Sequence, residues 1–176
     1  MRHLLLVLSL VVSAATSAAA QITICSTANG SANASCSGNV ATSLTIPILI
    51  RLTIDDTSTT ITPPTLTDYT NGVTSPITGP VATVKTNNNW TLLVRATAAT
   101  WTGTGGARAT KPVGDLLWST TSGGSYVPMT TTNATVATGA RGSANATTLF
   151  YKVNWTWGTD TPGTYSLTVI YTATAP

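Results

Sequence analysis

Few side chains in this chain are suited to acid–base or nucleophilic chemistry. Among its 176 residues there are five carboxylates, all of them aspartates, no glutamate and a single histidine, His3. Beyond His3 there is no imidazole, which excludes a Ser–His–Asp triad and a Cys–His pair. No spacing motif supports a serine–lysine dyad built on one of the three lysines, which are Lys85, Lys111 and Lys152. We therefore expect no enzymatic activity, no catalytic residue and no cofactor.

Three of the aspartates flank one long connection and could offer hard oxygen ligands to calcium. They are Asp55, Asp56 and Asp68, and oxygen ligands of this kind are those that calcium prefers. No EF-hand or nonapeptide spacing accompanies them. Calcium binding is one interpretation, and solvated loop carboxylates that protect sheet edges are the other. No other metal site is expected.

Five tryptophans in a chain of this size suggest stacking on sugar rings. The candidates for a stacking platform are Trp101, which stands beside a Gly-rich loop at residues 102–114, and Trp118, Trp155 and Trp157. However, Trp90, Trp155 and Trp157 share the alternating apolar faces of predicted strands, where large rings usually build the core. Glycan stacking and core packing are thus both open from the sequence.

The first twenty residues have the three parts of a signal peptide. Arg2 and His3 are basic, residues 4–12 are an apolar run, and Ala18 and Ala20 are small residues before a cleavage point. The apolar run is shorter than the roughly 20 residues of a membrane-spanning helix. We expect cleavage after residue 20 and a secreted or cell-surface chain without a membrane span. The leader and the threonine-rich composition look bacterial.

Both cysteines, Cys25 and Cys36, follow the leader. An exported chain with two cysteines most simply forms one disulfide. Closing so short a loop is worth roughly 2–3 kcal/mol in the chain-entropy model. The expected organisation is a signal peptide at 1–20, an N-terminal disulfide-loop segment at 21–40 and a β-sandwich domain at 41–176.

The composition favours strands and argues against nucleic-acid binding. Charged residues make up 7% of the chain, against about 25% in an average soluble domain. The net charge of +3 is spread over scattered basic residues, so no basic patch for nucleic acid is expected. Threonine is abundant and favours strands, whereas the strong helix formers are nearly absent.

Apolar and polar residues alternate along four segments, which are 44–54, 90–98, 149–157 and 165–173. Period-2 alternation is typical of strands with one buried face. In the first segment, Pro47 predicts an edge strand or a bulge. Residues 55–80 carry turn signals and form a long connection with one or two short strands. No helix is expected after the leader.

Turns recur about every ten residues, which predicts about seven to nine strands. The fold class is therefore all-β, as a single antiparallel immunoglobulin-like β-sandwich. A closed barrel is the alternative architecture, although the long connection at 55–80 suits it less well.

Two parts of the chain resemble the WxL surface domains of bacteria. The stretch from Asn87 to Val94, NNNWTLLV, is similar to the first Trp-x-Leu motif of that family. Residues 162–176 resemble its closing strand, although Tyr171-Thr172-Ala173 stands where a second Trp-x-Leu would be. The resemblance implies an immunoglobulin-like cell-surface module that acts by attachment or assembly, and it implies no catalytic residue.

The expected function is that of a secreted or cell-surface structural or adhesion protein, such as a filament or coat subunit. Its partners would be copies of itself or cell-envelope polymers. A carbohydrate-binding module that uses exposed tryptophans is the alternative, with a glycan as ligand. Residues 21–26, which include Ile22 and Ile24 at alternate positions, could add as a strand to a neighbour's open edge or pair within their own fold.

Overall fold

A computed structural model describes residues 38–176 of the protein. One compact unit runs from Ile46 to Pro176, and the described residues before it belong to a separate unit. The predicted signal peptide, the strand at 21–26 and the Cys25–Cys36 disulfide lie outside the described residues. In the part that is described, no helix has the length and apolar character needed to cross a membrane.

The compact unit is built mainly from strands. Besides them it has one short α-helix and one 3₁₀ turn at Val113–Asp115. The elements are β1 (Ile50–Ile54), α1 (Leu66–Asn71), β2 (Ile77–Thr86), β3 (Trp90–Ala96), β4 (Thr102–Thr104), β5 (Leu116–Ser119), β6 (Val127–Pro128), β7 (Ala134–Gly139), β8 (Gly142–Val153), β9 (Thr164–Ser166) and β10 (Val169–Thr174).

The strands form three antiparallel sheets. A five-stranded sheet has the order β1-β2-β8-β5-β6, a three-stranded sheet the order β10-β3-β7, and β4 pairs with β9. Their pairings are antiparallel throughout. The prediction of an all-β, antiparallel fold is therefore confirmed.

Alternate side chains of β3 and β8 form the core, as the period-2 pattern predicted. Leu92 and Val94 of β3 are buried, and so are Leu149 and Val153 of β8. One core cluster combines Val94 with Leu149, so the three-stranded and five-stranded sheets share buried side chains. The pleat places these residues on one face because successive side chains in a strand point to opposite sides.

The first alternating segment differs from the expectation. Only its last five residues, β1, are a strand, and Leu44, Ile46 and Ile48 are exposed. A buried face for this part was the wrong prediction, because alternation produces burial only where a second layer covers the apolar side. The edge position that Pro47 indicated is confirmed, since β1 ends the five-stranded sheet.

The expectation of no helix after the leader was wrong at α1. Thr65 caps the helix by accepting from the Asp68 backbone N–H, and the Asp68 side chain accepts from the Thr65 backbone N–H in return. Gly72 ends the helix with a φ of 72°, a left-handed conformation that glycine adopts without strain. These capping residues stabilise one short helix in spite of the weak helix propensity of its threonines.

Candidate functional site

A lysine side chain is completely buried near the end of the Gly-rich loop. Lys111 is 0% exposed, and its Nζ donates to three oxygens. These are Asp160 Oδ2 at 2.9 Å, Asp115 Oδ2 at 3.0 Å and the backbone carbonyl of Asn154 at 2.7 Å. Because an ammonium group has three N–H donors, its hydrogen-bonding capacity is filled.

Two aromatic rings also lie close to this ammonium group. Lys111 Nζ lies 4.4 Å from the centroid of the Trp155 ring and 5.9 Å from that of Tyr165. The two rings meet edge to face, with centroids 5.9 Å apart. The quadrupole of an aromatic face attracts a nearby cation, so these rings stabilise the charge while excluding water.

The carboxylate of Asp160 is as deeply buried as the lysine and has further partners. Arg108 Nη1 donates to Oδ1 at 3.3 Å, and the backbone N–H of Thr156 donates to Oδ2 at 2.9 Å. Arg108 and Lys111 balance Asp115 and Asp160, so the cluster has no formal net charge. We call these four side chains the buried ion cluster. Such a cluster survives burial only because its charges are paired and hydrogen-bonded.

Three separate stretches of chain position the cluster. The Trp101 backbone N–H donates to the Lys111 carbonyl at 2.9 Å, which fixes the lysine against the start of the Gly-rich loop. Asp115 ends the 3₁₀ turn, and its carbonyl accepts from the Asn154 N–H at 2.8 Å. Asp160 lies in a turn in which its N–H donates to the Thr156 carbonyl at 3.0 Å.

The sequence did not reveal this cluster. From the sequence, Lys111 was considered only as one of three lysines for a serine–lysine dyad that no motif supported. Asp115 and Asp160 were counted only among the five aspartates. The i,i+4 spacing of Lys111 and Asp115 is a local signal. In contrast, Asp160 stands 49 residues from Lys111, and no pattern in the sequence pairs them. A desolvated amine next to a carboxylate has the components of an amide bond.

An aromatic cavity of about 630 Å³ lies within the compact unit. It opens to solvent and is lined by residues 56–64 and by the aromatic residues Trp101, Tyr151, Trp155, Tyr165 and Tyr171. The hydroxyls of Tyr151 and Tyr171 hydrogen-bond to each other. Burial raises the pKa of the Tyr151 hydroxyl well above its usual range, and Tyr171 raises it further. Burial likewise raises the pKa of Tyr171.

The three aspartates considered for calcium each accept a hydrogen bond from a backbone N–H. Asp55 Oδ1 accepts from the Val81 N–H at 2.7 Å, and Asp56 accepts from a backbone N–H two residues later. Asp68 caps α1, and its hydrogen bonds from Thr65 lower the pKa of the carboxyl. Within the described part of the chain, no three metal-ligating side chains of the His, Cys, Asp or Glu types come together.

Trp101 and Trp118, two of the tryptophans considered for sugar stacking, belong to the core. Trp101 and Trp118 are each 6% exposed, so neither offers a ring face to solvent. Trp157, which the alternation had placed with the core, is 64% exposed. The alternation fails there because β8 ends at Val153 and the chain turns beyond it. The Trp157 ring lies against Tyr69, with centroids 4.7 Å apart.

An exposed apolar segment precedes β1. We call residues 46–49 the apolar arm, in which Ile46 is 70%, Ile48 53% and Leu49 62% exposed. The Asn87 side chain holds this arm in place by donating to the Pro47 carbonyl and accepting from the Leu49 N–H, both at 2.9 Å. The Asn87 backbone N–H also donates to the Leu49 carbonyl at 3.3 Å. The arm therefore has a defined conformation although its apolar side chains face solvent.

The backbone of β1 presents one row of hydrogen-bonding groups away from the sheet. Leu49 and Asp55 direct their backbone groups toward β2, since Leu49 O accepts from Asn87 and Asp55 N donates to Val81 O. In an antiparallel ladder, successive residues point these groups to opposite sides. The N–H and C=O groups of Ile50, Leu52 and Ile54 therefore point outward. Among the residues described, no strand pairs with this side of β1.

No family model, no curated protein and no solved structure matches this chain. Function must therefore be inferred from the apolar arm, the open edge of β1 and the buried ion cluster themselves.

Proposed function

We propose that the protein is a secreted or cell-surface structural subunit that associates non-covalently with copies of itself. Its body would be an immunoglobulin-like β-sandwich, an interpretation supported by two antiparallel sheets that share core side chains. The signal-peptide pattern supports export, and the lack of any imidazole beyond His3 supports a non-enzymatic role. The observation that carries the proposal is the apolar arm that leads directly into the open edge of β1.

An exposed apolar arm on a sheet edge is costly unless something covers it. Natural edge strands are usually protected by charged side chains, prolines or bulges. Between residues 46 and 54 the protection consists of one proline, Pro47, and one charged residue, Arg51. Adjacent exposed apolar side chains of this kind mark interaction surfaces more often than isolated ones do. The arm and β1 together are thus the best candidate interface in the compact unit.

Strand addition explains how a second copy would cover this surface. A strand from the second copy would pair with the outward groups of Ile50, Leu52 and Ile54 and pack over the apolar arm. Main-chain hydrogen bonds would supply the register, and burial of Ile46 and Ile48 would supply most of the affinity. The low charge of the chain also reduces the electrostatic repulsion between copies.

The proposal is tested by the oligomeric state of Ile48→Lys. Light scattering coupled to size-exclusion chromatography should show oligomers for the unmodified protein and a shift to monomer for this variant. Leu66→Lys is the matched control, because Leu66 is an exposed apolar residue that belongs to α1 and not to the arm or β1. We expect Leu66→Lys to keep the oligomers. An unmodified protein that is monomeric at every concentration would refute self-association.

Deleting residues 21–26 tests whether this segment is the strand that one copy adds to another, or whether it pairs within its own fold. Loss of oligomers with an unchanged melting temperature would identify this segment as the strand donated to the neighbour. A less stable monomer would instead show that the segment pairs within its own fold, in which case the open edge of β1 is closed by the chain itself.

Glycan binding is the second candidate function, and the exposure of Trp157 favours it. An exposed indole ring supported by Tyr69 is the arrangement that stacks on a sugar ring. Trp157→Ala should abolish retention on insoluble glycans, whereas Leu66→Ala should leave it unchanged. Equal retention of Trp157→Ala and the unmodified protein would contradict this candidate.

A further inference from the structure

The buried ion cluster holds an amine and a carboxylate in contact where solvent does not reach them. Lys111 Nζ lies 2.9 Å from Asp160 Oδ2, and their side chains are 0% and 1% exposed. Both groups have lost the hydration that normally favours separate ions. We propose that Lys111 and Asp160 condense to form an intramolecular amide bond, with Asp115 as the proton carrier. This covalent modification does not depend on the proposed self-association.

Asp115 is placed to convert the ammonium into a nucleophile. Its Oδ2 lies 3.0 Å from Lys111 Nζ and accepts one of its protons. The resulting neutral amine keeps a lone pair beside the Asp160 carboxyl group. Groups held in contact in this way react as if at very high concentration, because no diffusion or reorientation is needed.

Asp160, rather than Asp115, is the carboxyl group that the Lys111 nitrogen attacks. Arg108 Nη1 lies 3.3 Å from Asp160 Oδ1, and the Thr156 N–H donates to Oδ2. These donors stabilise the negative charge that develops on the oxygens when nitrogen adds to the carboxyl carbon. Asp115 lacks these donors, and its side chain is partly exposed. The two carboxylates therefore have different roles.

The condensation balances without any oxidant or other reactant. Lys111 Nζ gives one proton to Asp115, and its lone pair then forms a bond to Asp160 Cγ while the carbonyl electron pair moves to Oδ1. The nitrogen gives a second proton to Oδ2, and Asp115 returns the first proton to the same oxygen. The Cγ–Oδ2 bond breaks, water leaves, and the electron pair on Oδ1 restores the carbonyl.

The third proton stays on nitrogen, where the structure already provides its acceptor. The Asn154 carbonyl lies 2.7 Å from Lys111 Nζ, so it would accept from the N–H of the new amide. The amide nitrogen would also keep its packing against the Trp155 ring. The bond would join positions 49 residues apart and tie the Gly-rich loop to the turn that precedes β9. Such a cross-link suits a subunit that must resist heat or tension.

Peptide mass spectrometry of the full chain tests the bond directly. Trypsin cleaves after Arg108, Arg141 and Lys152, and the Lys111–Pro112 bond resists it. We expect residues 109–141 and 153–176 to appear as one cross-linked species, lighter than their sum by one water. Two separate, unmodified peptides would overturn the proposal. Loss of water confined to 109–141 would also overturn it, because the bond would then join Lys111 to Asp115.

The variants Asp160→Ala and Asp115→Asn test the two roles. Asp160→Ala should remove the cross-link completely. Asp115→Asn keeps the shape of the side chain and removes the proton carrier, so bond formation in newly synthesised chains should slow by about 100-fold, a typical effect of general acid–base catalysis. Asp56→Asn, a change in an exposed loop, should leave the cross-linked fraction unchanged. If Asp115→Asn forms the bond at the unmodified rate, the role of Asp115 is refuted.

Discussion

Side chains on the inward face of β8 form part of the core. The variant Leu149→Ala measures how much one of them contributes to the free energy of unfolding. Leu149 is 0% exposed and lies on the strand that pairs with both β2 and β5. The carbons removed are worth about 2.4 kcal/mol at roughly 0.8 kcal/mol each. The cavity that remains raises the cost to about 3–4 kcal/mol, because the neighbours of a fully buried side chain relax into it only in part. We therefore expect one of the larger losses of stability that a single substitution can produce here.

Urea unfolding followed by tryptophan fluorescence gives this loss directly, since most of the indole rings are buried. For a domain of this size, a loss of about 3 kcal/mol corresponds to a fall in Tm of roughly 10 °C. Leu66→Ala is the matched control, because Leu66 is 72% exposed, and it should change stability by less than about 0.5 kcal/mol. Similar costs for the two variants would refute the inward register of β8, since a slip of one residue reverses the two faces of a strand.

Three further predictions concern the tyrosine pair, the turn before β9 and the apolar arm. Burial and Tyr171 raise the pKa of Tyr151 above its ordinary value of 10.0. The unfolded chain therefore loses the Tyr151 proton at a lower pH than the folded chain does. The free energy of unfolding is unaffected by this group below pH 10 and falls as the pH rises further. Tyr151→Phe should make this alkaline loss of stability, measured by urea unfolding, less steep. Gly163 has a φ of 153°, and a Cβ there would overlap the Ala107 backbone nitrogen; Gly163→Ala should cost about 1–3 kcal/mol. Asn87→Ala should release the apolar arm and speed hydrogen exchange at Leu49, with a loss of roughly 1–2 kcal/mol.

Each of these predictions has a control in the same chain. Tyr126→Phe removes a tyrosine outside the pair whose pKa is also raised by burial, so it should flatten the alkaline profile less than Tyr151→Phe does. Gly123→Ala adds a Cβ that meets no atom within 4 Å, so its Tm should not change. Asn133→Ala removes an exposed asparagine and should leave exchange at Leu49 unaltered. A control that behaves like its partner variant would contradict the corresponding reasoning.

Local patterns were reliable where one neighbouring layer covers a strand. The buried positions of β3 follow directly from the alternation that begins at Trp90, because side-chain direction in a strand depends only on the pleat. The same pattern failed in the apolar arm and at Trp157. Alternation there is real, but burial requires another element to lie on the apolar side, and the residues themselves do not report whether one does.

The amino-acid order alone specified a chain of antiparallel strands with almost no catalytic side chains, because pleat, turn residues and residue types are local properties. It did not specify that Lys111 meets Asp160, since a contact across 49 residues depends on how the turn after β8 packs against the Gly-rich loop. Nor did it specify that the apolar arm stays uncovered at a sheet edge. Both features arise from the arrangement of whole elements in space, and both carry the functional proposals for this protein.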